Sequence, residues 1–362
     1  MPGASDDADE RLELIAFLHA VGFTDEEVAA NEGRLLGMAS RRVLFGDEQR
    51  VTITEIAALA GCDESLVRKV RLASGLPDAG DEAVCSPREA DVMSSFVLGA
   101  EVLGEDVALQ FTRLLGTVTA GLAEAALATF ATNRQGPLLE SGASLADIAR
   151  AGAEATTALL AVPPVLDVLL RLHFEYANTG RFAGEDRSPT VRVAVAFVDL
   201  VDSTQLTQTL DGATLAGALG DFERVASEAV VRSGGRVVKR IGDAVMFVAS
   251  DAAAACDAAL AIVEAVDAHA TLTTARAAIA FGDVLPRDGD YFGTAVNLAA
   301  RAVPFAAPGG IVVSREARDA LPAEHWTTIA LGDQKLKGFD EPVALFEVTP
   351  DRGRSPRNAG GA

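Results

Sequence analysis

The feature that most constrains this chain is a change in the period of its apolar residues near residue 180. Before it, apolar positions recur at helical spacing; after it, short apolar runs alternate with helical patterns. In "DERLELIAFLHAVGF" the positions Leu12, Ile15, Leu18 and Val21 predict one face of a helix. "LGEDVALQFTRLLGTVTAGLAEAALATFA" predicts a longer helix, opened by Glu105 and Asp106, where the helix dipole favours acids. No strand-like alternation of any length occurs between 10 and 175. Beyond 190, "VRVAVAFVDL" reads as a strand, "ATLAGALGDFERVASEAVVRS" as a helix and "VVKRIGDAVMFV" as a hairpin turning on Gly242-Asp243. A helix "DAAAACDAALAIVEAVDAH", a strand "TARAAIAFGDV", a helix over 294–304 and the strands "GGIVVS" and "PVALFEV" follow. An all-α domain over 10–177 is therefore expected, then a Gly/Asp/Ser/Pro-rich linker over 178–190 and an α+β domain with helices on a sheet over 191–348. Residues 1–9 and the tail 349–362 read as disordered.

Other classes are narrowed by charge and composition. The 362 residues suffice for about two domains. A net charge of −21 argues against a large nucleic-acid footprint. Cys62, Cys85 and Cys256 are far apart, match no metal-ligand spacing, and read as reduced thiols of a cytoplasmic protein. The acidic start "MPGASDDADE" is not a secretory signal. The most apolar stretch, Ala155 to Leu166, contains Pro163-Pro164 and is too short to span a bilayer, so no membrane span is expected. The stretch 51–77, "VTITEIAALAGCDESLVRKVRLASGLP", resembles a helix-turn-helix, with Thr54 as a cap, Gly61 in the turn and Val67 to Leu72 in the second helix. Its local charge is close to neutral, whereas a DNA reader needs cations for phosphates.

The second half carries the chemistry. Asp199 closes an apolar strand in "AFVDLVDSTQL", and Asp243 sits at the hairpin tip. Carboxylates at the ends of neighbouring strands can share divalent ions, which take one or two carboxylates together with phosphate oxygens. Between Asp199 and Ser203 the chain turns from strand to helix and offers backbone N–H groups to phosphates. In "GDYFGTAVNLAARAV", Gly289-Asp290 and Gly293 mark a loop, and Thr294 can cap the helix that follows. Asn297 and Arg301 are one turn apart on that otherwise apolar helix and call for a partner such as a ribose and a phosphate. Taken singly, each residue also has a plain reading: a turn Asp, a helix cap, an edge-strand Lys, a solvated polar stripe.

Taken together, "FVDLVDST", "VVKRIGDAVMFV", "GDYFGTAVNLAAR" and "LKGFDEPVALFEV" resemble, in order and spacing, the class III nucleotidyl cyclase catalytic domain over 190–348. The resemblance implies a ferredoxin-like βαββαβ core and the formation of 3′,5′-cyclic AMP and pyrophosphate from ATP. It implies that Asp199 and Asp243 hold two Mg²⁺ or Mn²⁺ ions, that Lys239 and Asp290 read the purine, and that Asn297 orients the ribose. Arg301 would stabilise the transition state and Lys337 touch the polyphosphate. The Lys/Asp pair suits adenine, since Lys donates to a ring acceptor such as N1 and Asp accepts from the 6-amino group; guanine has the reverse polarity at both places. Attack of the ribose 3′-OH on the α-phosphorus fits two metals and a fixed cation, with no side-chain nucleophile. All six main positions carry the family's residues. In this family the metal Asp pair and the other set come from opposite subunits of a head-to-tail homodimer.

The first half is similar to the helical regulatory domain of bacterial two-domain soluble cyclases, some of which sense pH and inhibit their catalytic domain. The similarity rests on "TEIAALAG…VRKVRLASGL", "LGEDVALQFTRLL" and "LRLHFE". Autoinhibition by this half, relieved by pH, is expected, with His173 in "VLLRLHFEYANTG" as the candidate titrating group beside Arg171 and Glu175. A small-molecule or lipid effector of this half has no signature in the sequence. The alternative is a helix-turn-helix transcription regulator whose cyclase-like domain only senses a nucleotide.

Overall fold

The computed structural model describes residues 4–181 and 189–351. The chain separates into two compact units, Met1–Glu185 and Asp186–Ala362. The first is helical: α1 Ala4–Ala20, α2 Asp25–Ala30, α3 Leu35–Phe45, α4 Ile53–Ala60, α5 Glu64–Ala73, α6 Glu89–Leu103, α7 Glu105–Phe130, α8 Gly136–Glu140, α9 Leu145–Leu159 and α10 Val162–Arg181. A π-turn, Ala131–Gln135, joins α7 to α8. Helix α1 begins well inside the end expected to be disordered, because no Gly or Pro follows Gly3 until Gly22. Helix α10 likewise runs through 178–181, the first part of the expected linker; residues 182–188 lie outside the described residues. The buried face of α1 is Leu14 and Leu18, with Ile15 at its margin. Leu12 and Val21, expected on that face, are exposed.

The helix-turn-helix of α4 and α5 is built as expected except at its start. Thr52, not Thr54, caps α4, through a capping box with Glu55, and Gly61 closes the helix in the left-handed region at φ 66°. Ile53, Ile56, Val67 and Val70 bury one side in a core shared with Met93, Phe96 and Leu109. The cations of α5 are turned to internal use. Arg68 bonds Asp78 at 2.6 Å and Lys69 bonds Glu105 at 3.1 Å. Arg71 pairs with Glu89 and donates to the Pro77 carbonyl at 2.7 Å. These acids occupy the donors that a phosphate backbone would need, so the transcription-regulator alternative is not favoured.

The expectation about membranes rested on too narrow a window. In the structure the helical runs Glu105–Glu140 (36 residues) and Leu145–Ala177 (33 residues) each contain an 18-residue window, of mean hydropathy 1.5 and 1.6, long and apolar enough to cross a bilayer. The Ala155–Leu166 window understated this because Pro163-Pro164 fall at the start of α10, where Pro is tolerated. Length and composition alone do not establish a span. The two runs place many apolar side chains outside the unit's cores, among them Val107, Phe111, Val118 and Leu127 of α7 and Val165, Leu169, Leu172 and Phe174 of α10.

The second unit is an eight-stranded mixed sheet with helices on both faces. Its elements are β1 Val191–Leu200, α11 Ser203–Thr209, α12 Gly212–Arg232, β2 Arg236–Ile241, β3 Ala244–Ala249, α13 Ala252–Asp267, β4 Ala275–Arg287, β5 Asp290–Phe292, α14 Thr294–Ala302, β6 Ile311–Ser314, α15 Arg315–Ala320, β7 Trp326–Gln334 and β8 Val343–Pro350. The order β2-β3-β1-β4 is antiparallel throughout, with α12 and α13 as its crossovers, which is the ferredoxin-like core. β6 adds in parallel to β4, β8 and β7 follow antiparallel, and β5 folds back on β4. β8 includes Thr349 and Pro350, paired with Thr327 and Trp326, so the tail expected to be disordered starts too early; residues 352–362 lie outside the described residues.

Both faces of the sheet are buried, which is why β1 reads as a continuous apolar run. Ala194, Ala196, Val198 and Leu200 meet the core under α12 and α13, together with Phe247 and Ile279. Val195 and Phe197 meet the second core, under α14, with Met246, Leu298, Leu336 and Leu345. By alternation Asp199 lies on the α14 face. Cys256 is buried in the first core, and burial pushes its thiol well up, as it does less strongly for Cys62 and Cys85. All three are free and none is activated.

Candidate active site

The α14 face of the sheet collects most of the residues singled out from the sequence. Asp199 stands at the end of β1, opposite Arg276 on β4 and next to the β2–β3 turn that carries Asp243. Gly242 takes φ 63°, so the two-residue turn closes without strain and presents Asp243. The Leu200 N–H donates to the Asp243 carbonyl at 3.4 Å, tying the strand end to the turn. Arg276 Nη2 donates to Asp199 Oδ2 at 3.2 Å. Burial pushes the Asp199 carboxyl above its usual range; the Arg276 hydrogen bond opposes that, and the negative charge of Asp243 adds to it. Two half-buried carboxylates side by side form a donor set suited to a divalent cation, with further ligands left for phosphate oxygens.

Lys239 reaches the same face through an irregularity. The β2–β3 register slips between Val237 and Lys239, so Val238 is a bulge. Val237 pairs with Phe247 of the first core, and Lys239 pairs with Met246 of the second. Without the extra residue Lys239 would share the α12–α13 face with Val237. Its ammonium pairs with Asp290, whose other oxygen accepts from the Tyr291 N–H at 2.8 Å. Asp290 is the first residue of β5 rather than part of a loop as expected: Gly289 at φ 80° turns the chain tightly enough for Asp290 to pair with Arg287.

Helix α14 carries the remaining pair. Gly293, not Thr294, occupies its N-cap, and no side-chain hydrogen bond caps it. Ala295, Leu298, Ala299 and Ala302 seal it to the sheet. Asn297 is exposed and Arg301 half-buried; Nη1 of Arg301 is buried without a hydrogen-bond partner. Lys337 is exposed, next to the buried anchor Leu336. Within one chain the residues thus form three groups: Asp199 with Asp243 and Arg276, Lys239 with Asp290, and Arg301 beside the β7–β8 turn. Among the described residues the hydrogen bonds and ion pairs of these side chains stay within their own group.

Sequence reasoning missed Arg276, the bulge at Val238, and the strands β5 and β7. Arg276 had a visible signal, a lone cation inside the apolar run "TARAAIAFGDV". The bulge had none.

Comparison with known proteins agrees with the geometry. Residues 4–177 match the adenylate cyclase regulatory domain, and residues 186–348 match the adenylate and guanylate cyclase catalytic domain. A pH-sensitive adenylate cyclase of Mycobacterium tuberculosis is 32% identical over 98% of this chain and 91% of its own length. An adenylate cyclase of Streptomyces coelicolor is 31% identical over 90% of this chain and 87% of its own. An uncharacterized protein of Mycobacterium tuberculosis is 36% identical over 94% and 90%. With this fold, these two matched domains and relatives similar along nearly the whole chain, the protein belongs to the class III adenylate cyclases, with a helical regulatory domain ahead of its catalytic domain.

Proposed function

We propose that this adenylate cyclase converts ATP to 3′,5′-cyclic AMP and pyrophosphate at composite sites of a homodimer, with Asp199 and Asp243 of one subunit facing Lys239, Asp290, Asn297, Arg301 and Lys337 of the other. The observation that carries it is the Lys239–Asp290 pair, a donor and an acceptor held side by side by a bulge and a tight hairpin. That polarity complements adenine, with Lys239 donating to N1 and Asp290 accepting from the 6-amino group. Asn297, exposed on α14, has both a donor and an acceptor for the ribose. Arg301 supplies a fixed cation where charge grows on the α-phosphoryl oxygens. Lys337, exposed on the turn between β7 and β8, is the candidate contact for the polyphosphate. Two Mg²⁺ or Mn²⁺ ions at Asp199 and Asp243 would acidify the 3′-hydroxyl and neutralise the triphosphate. The 3′-oxygen then attacks the α-phosphorus in line, and pyrophosphate leaves.

Support for the dimer comes from the carboxylates and the Lys239–Asp290 pair each making their own contacts within one chain, Asp199 with Arg276 and Lys239 with Asp290. The apolar side chains exposed on α6, α7 and α10 add to it, since a second copy could cover them. The relative described as pH-sensitive supports pH control through the helical unit. In that unit Arg171 bonds Asp167 one turn back at 3.0 Å rather than His173. The test is incubation of the purified protein with ATP or GTP and Mn²⁺, followed by chromatography. Cyclic AMP from ATP with little cyclic GMP is expected; linear products, or equal use of both nucleotides, would overturn the reading.

A further inference from the structure

Resting on the reading of Arg301 as the cation of the transition state, we infer that Gly338 is a positioning residue for it, the floor against which the guanidinium is held. Arg301 leaves α14 at its last turn, and its Nη1 is buried without a hydrogen-bond partner. What lies beside it is main chain. A Cβ built on Gly338 would be 2.6 Å from Nη1, 3.4 Å from Cζ and 3.6 Å from Nη2 of Arg301. The first distance is shorter than any real Cβ contact, so any side chain at 338 moves the guanidinium. The turn that carries Gly338 is itself fixed. Leu336 is 2% exposed in the second core, Phe339 packs against that core, and the Phe339 N–H donates to the Leu336 carbonyl at 3.2 Å. A buried N–H without a partner is costly, and a rigid surface beside it keeps the group from swinging away to find one. Stabilising a developing charge requires the donor to be in place beforehand, since reorientation during the reaction would consume the gain.

Gly338 is also at φ +82°, so loss of activity in a variant could come from backbone strain alone. Gly332, in β7, separates the two effects: it has φ +80° and nothing within 4 Å of its would-be Cβ. Because the atom in the way at 338 is the far end of a flexible side chain, the collision costs the fold little and falls on Arg301.

The experiment compares full-length Gly338→Ala, Gly338→Asn and Gly332→Ala for Tm, kcat and KM with ATP and Mn²⁺, with Arg301→Ala alone and combined with Gly338→Ala. Gly338→Ala and Gly332→Ala should lower Tm alike. Only the changes at 338 should lower kcat, roughly ten- to a hundredfold, with KM for ATP within about threefold of wild type. Gly338→Asn, better tolerated in the left-handed region, should be closer to wild type in Tm yet equally impaired in kcat. Adding Gly338→Ala to Arg301→Ala should cost no further activity. Wild-type kcat in either 338 variant beside an impaired Arg301→Ala overturns the positioning role and leaves the reading of Arg301 intact. So does an additive loss in the double variant. Unimpaired Arg301→Ala overturns both.

Discussion

Reversing the Lys239–Asp290 pair separates what it does for the fold from what it does for the substrate. The two side chains are 39% and 26% exposed, so solvent screens their attraction and the pair contributes about 0.5–1 kcal/mol to stability. For a domain of this size that is a shift of roughly 1–4 °C in Tm. In the proposed role as reader of the base, each member would make one polar match to adenine, and losing one would cost about 1–3 kcal/mol, or roughly 5- to 150-fold in kcat/KM. The expected cost to catalysis therefore exceeds the cost to stability. Three proteins make the test: Lys239→Glu, Lys239→Glu with Asp290→Cys, and the exchange Lys239→Glu with Asp290→Lys. The single change sets two acids side by side and should lower Tm as well as ATP turnover. The exchange re-forms an ion pair and should recover Tm, while kcat/KM for ATP stays low and its ratio to that for GTP falls at least tenfold. Initial rates on both nucleotides with Mn²⁺, alongside thermal denaturation, read all of this. If ATP and GTP turnover fall equally in every variant and both return with Tm in the exchange, the pair is a structural clip and the assignment of base reading is wrong.

Four further outcomes are expected. Asp199→Ala and Asp243→Ala should each lose cyclisation at saturating Mn²⁺ while remaining folded, and the rise in Tm that Mn²⁺ gives the wild type should disappear; activity near wild type in either would remove the metal assignment. Burial raises the Asp199 pKa in the fold, so apo stability from this group is greatest at low pH and declines as pH rises from the unfolded carboxylate pKa through the folded one. At neutral pH, Asp199→Asn should then be at least as stable as metal-free wild type, and the Mn²⁺-dependent gain of the wild type should grow as pH rises across that window; a less stable Asn variant with a pH-independent gap contradicts the sign. Mixing inactive Asp199→Ala with inactive Arg301→Ala should restore activity from one intact site per heterodimer, and background rates after proven subunit exchange would exclude sites shared between subunits. Removing residues 1–181 should raise activity at neutral pH and flatten the pH profile; an unchanged profile would place the response in the catalytic unit, and a full response in His173→Ala would clear that residue.

The sequence alone determined whatever depends on residues close together along the chain. The switch from helical to mixed periodicity, the Gly242-Asp243 turn, and the spacing of Asn297 and Arg301 are local, and each formed as read. Residue type at the candidate positions is read in the same local way, because metal, purine and phosphate each demand a narrow choice of donor or acceptor. Local reading failed where another element decided the outcome. Asp290 joins a strand because β4 is there to pair with it, and Lys239 changes face because a bulge, invisible in composition, moves it by one residue. Arg276 meets Asp199 through register between strands 77 residues apart, and Gly338 meets Arg301 through a turn that follows a different strand. The exposed apolar faces of α7 and α10 have the same origin. Periodicity shows that a helix has an apolar side; only packing shows whether that side is covered within the chain or left for a partner.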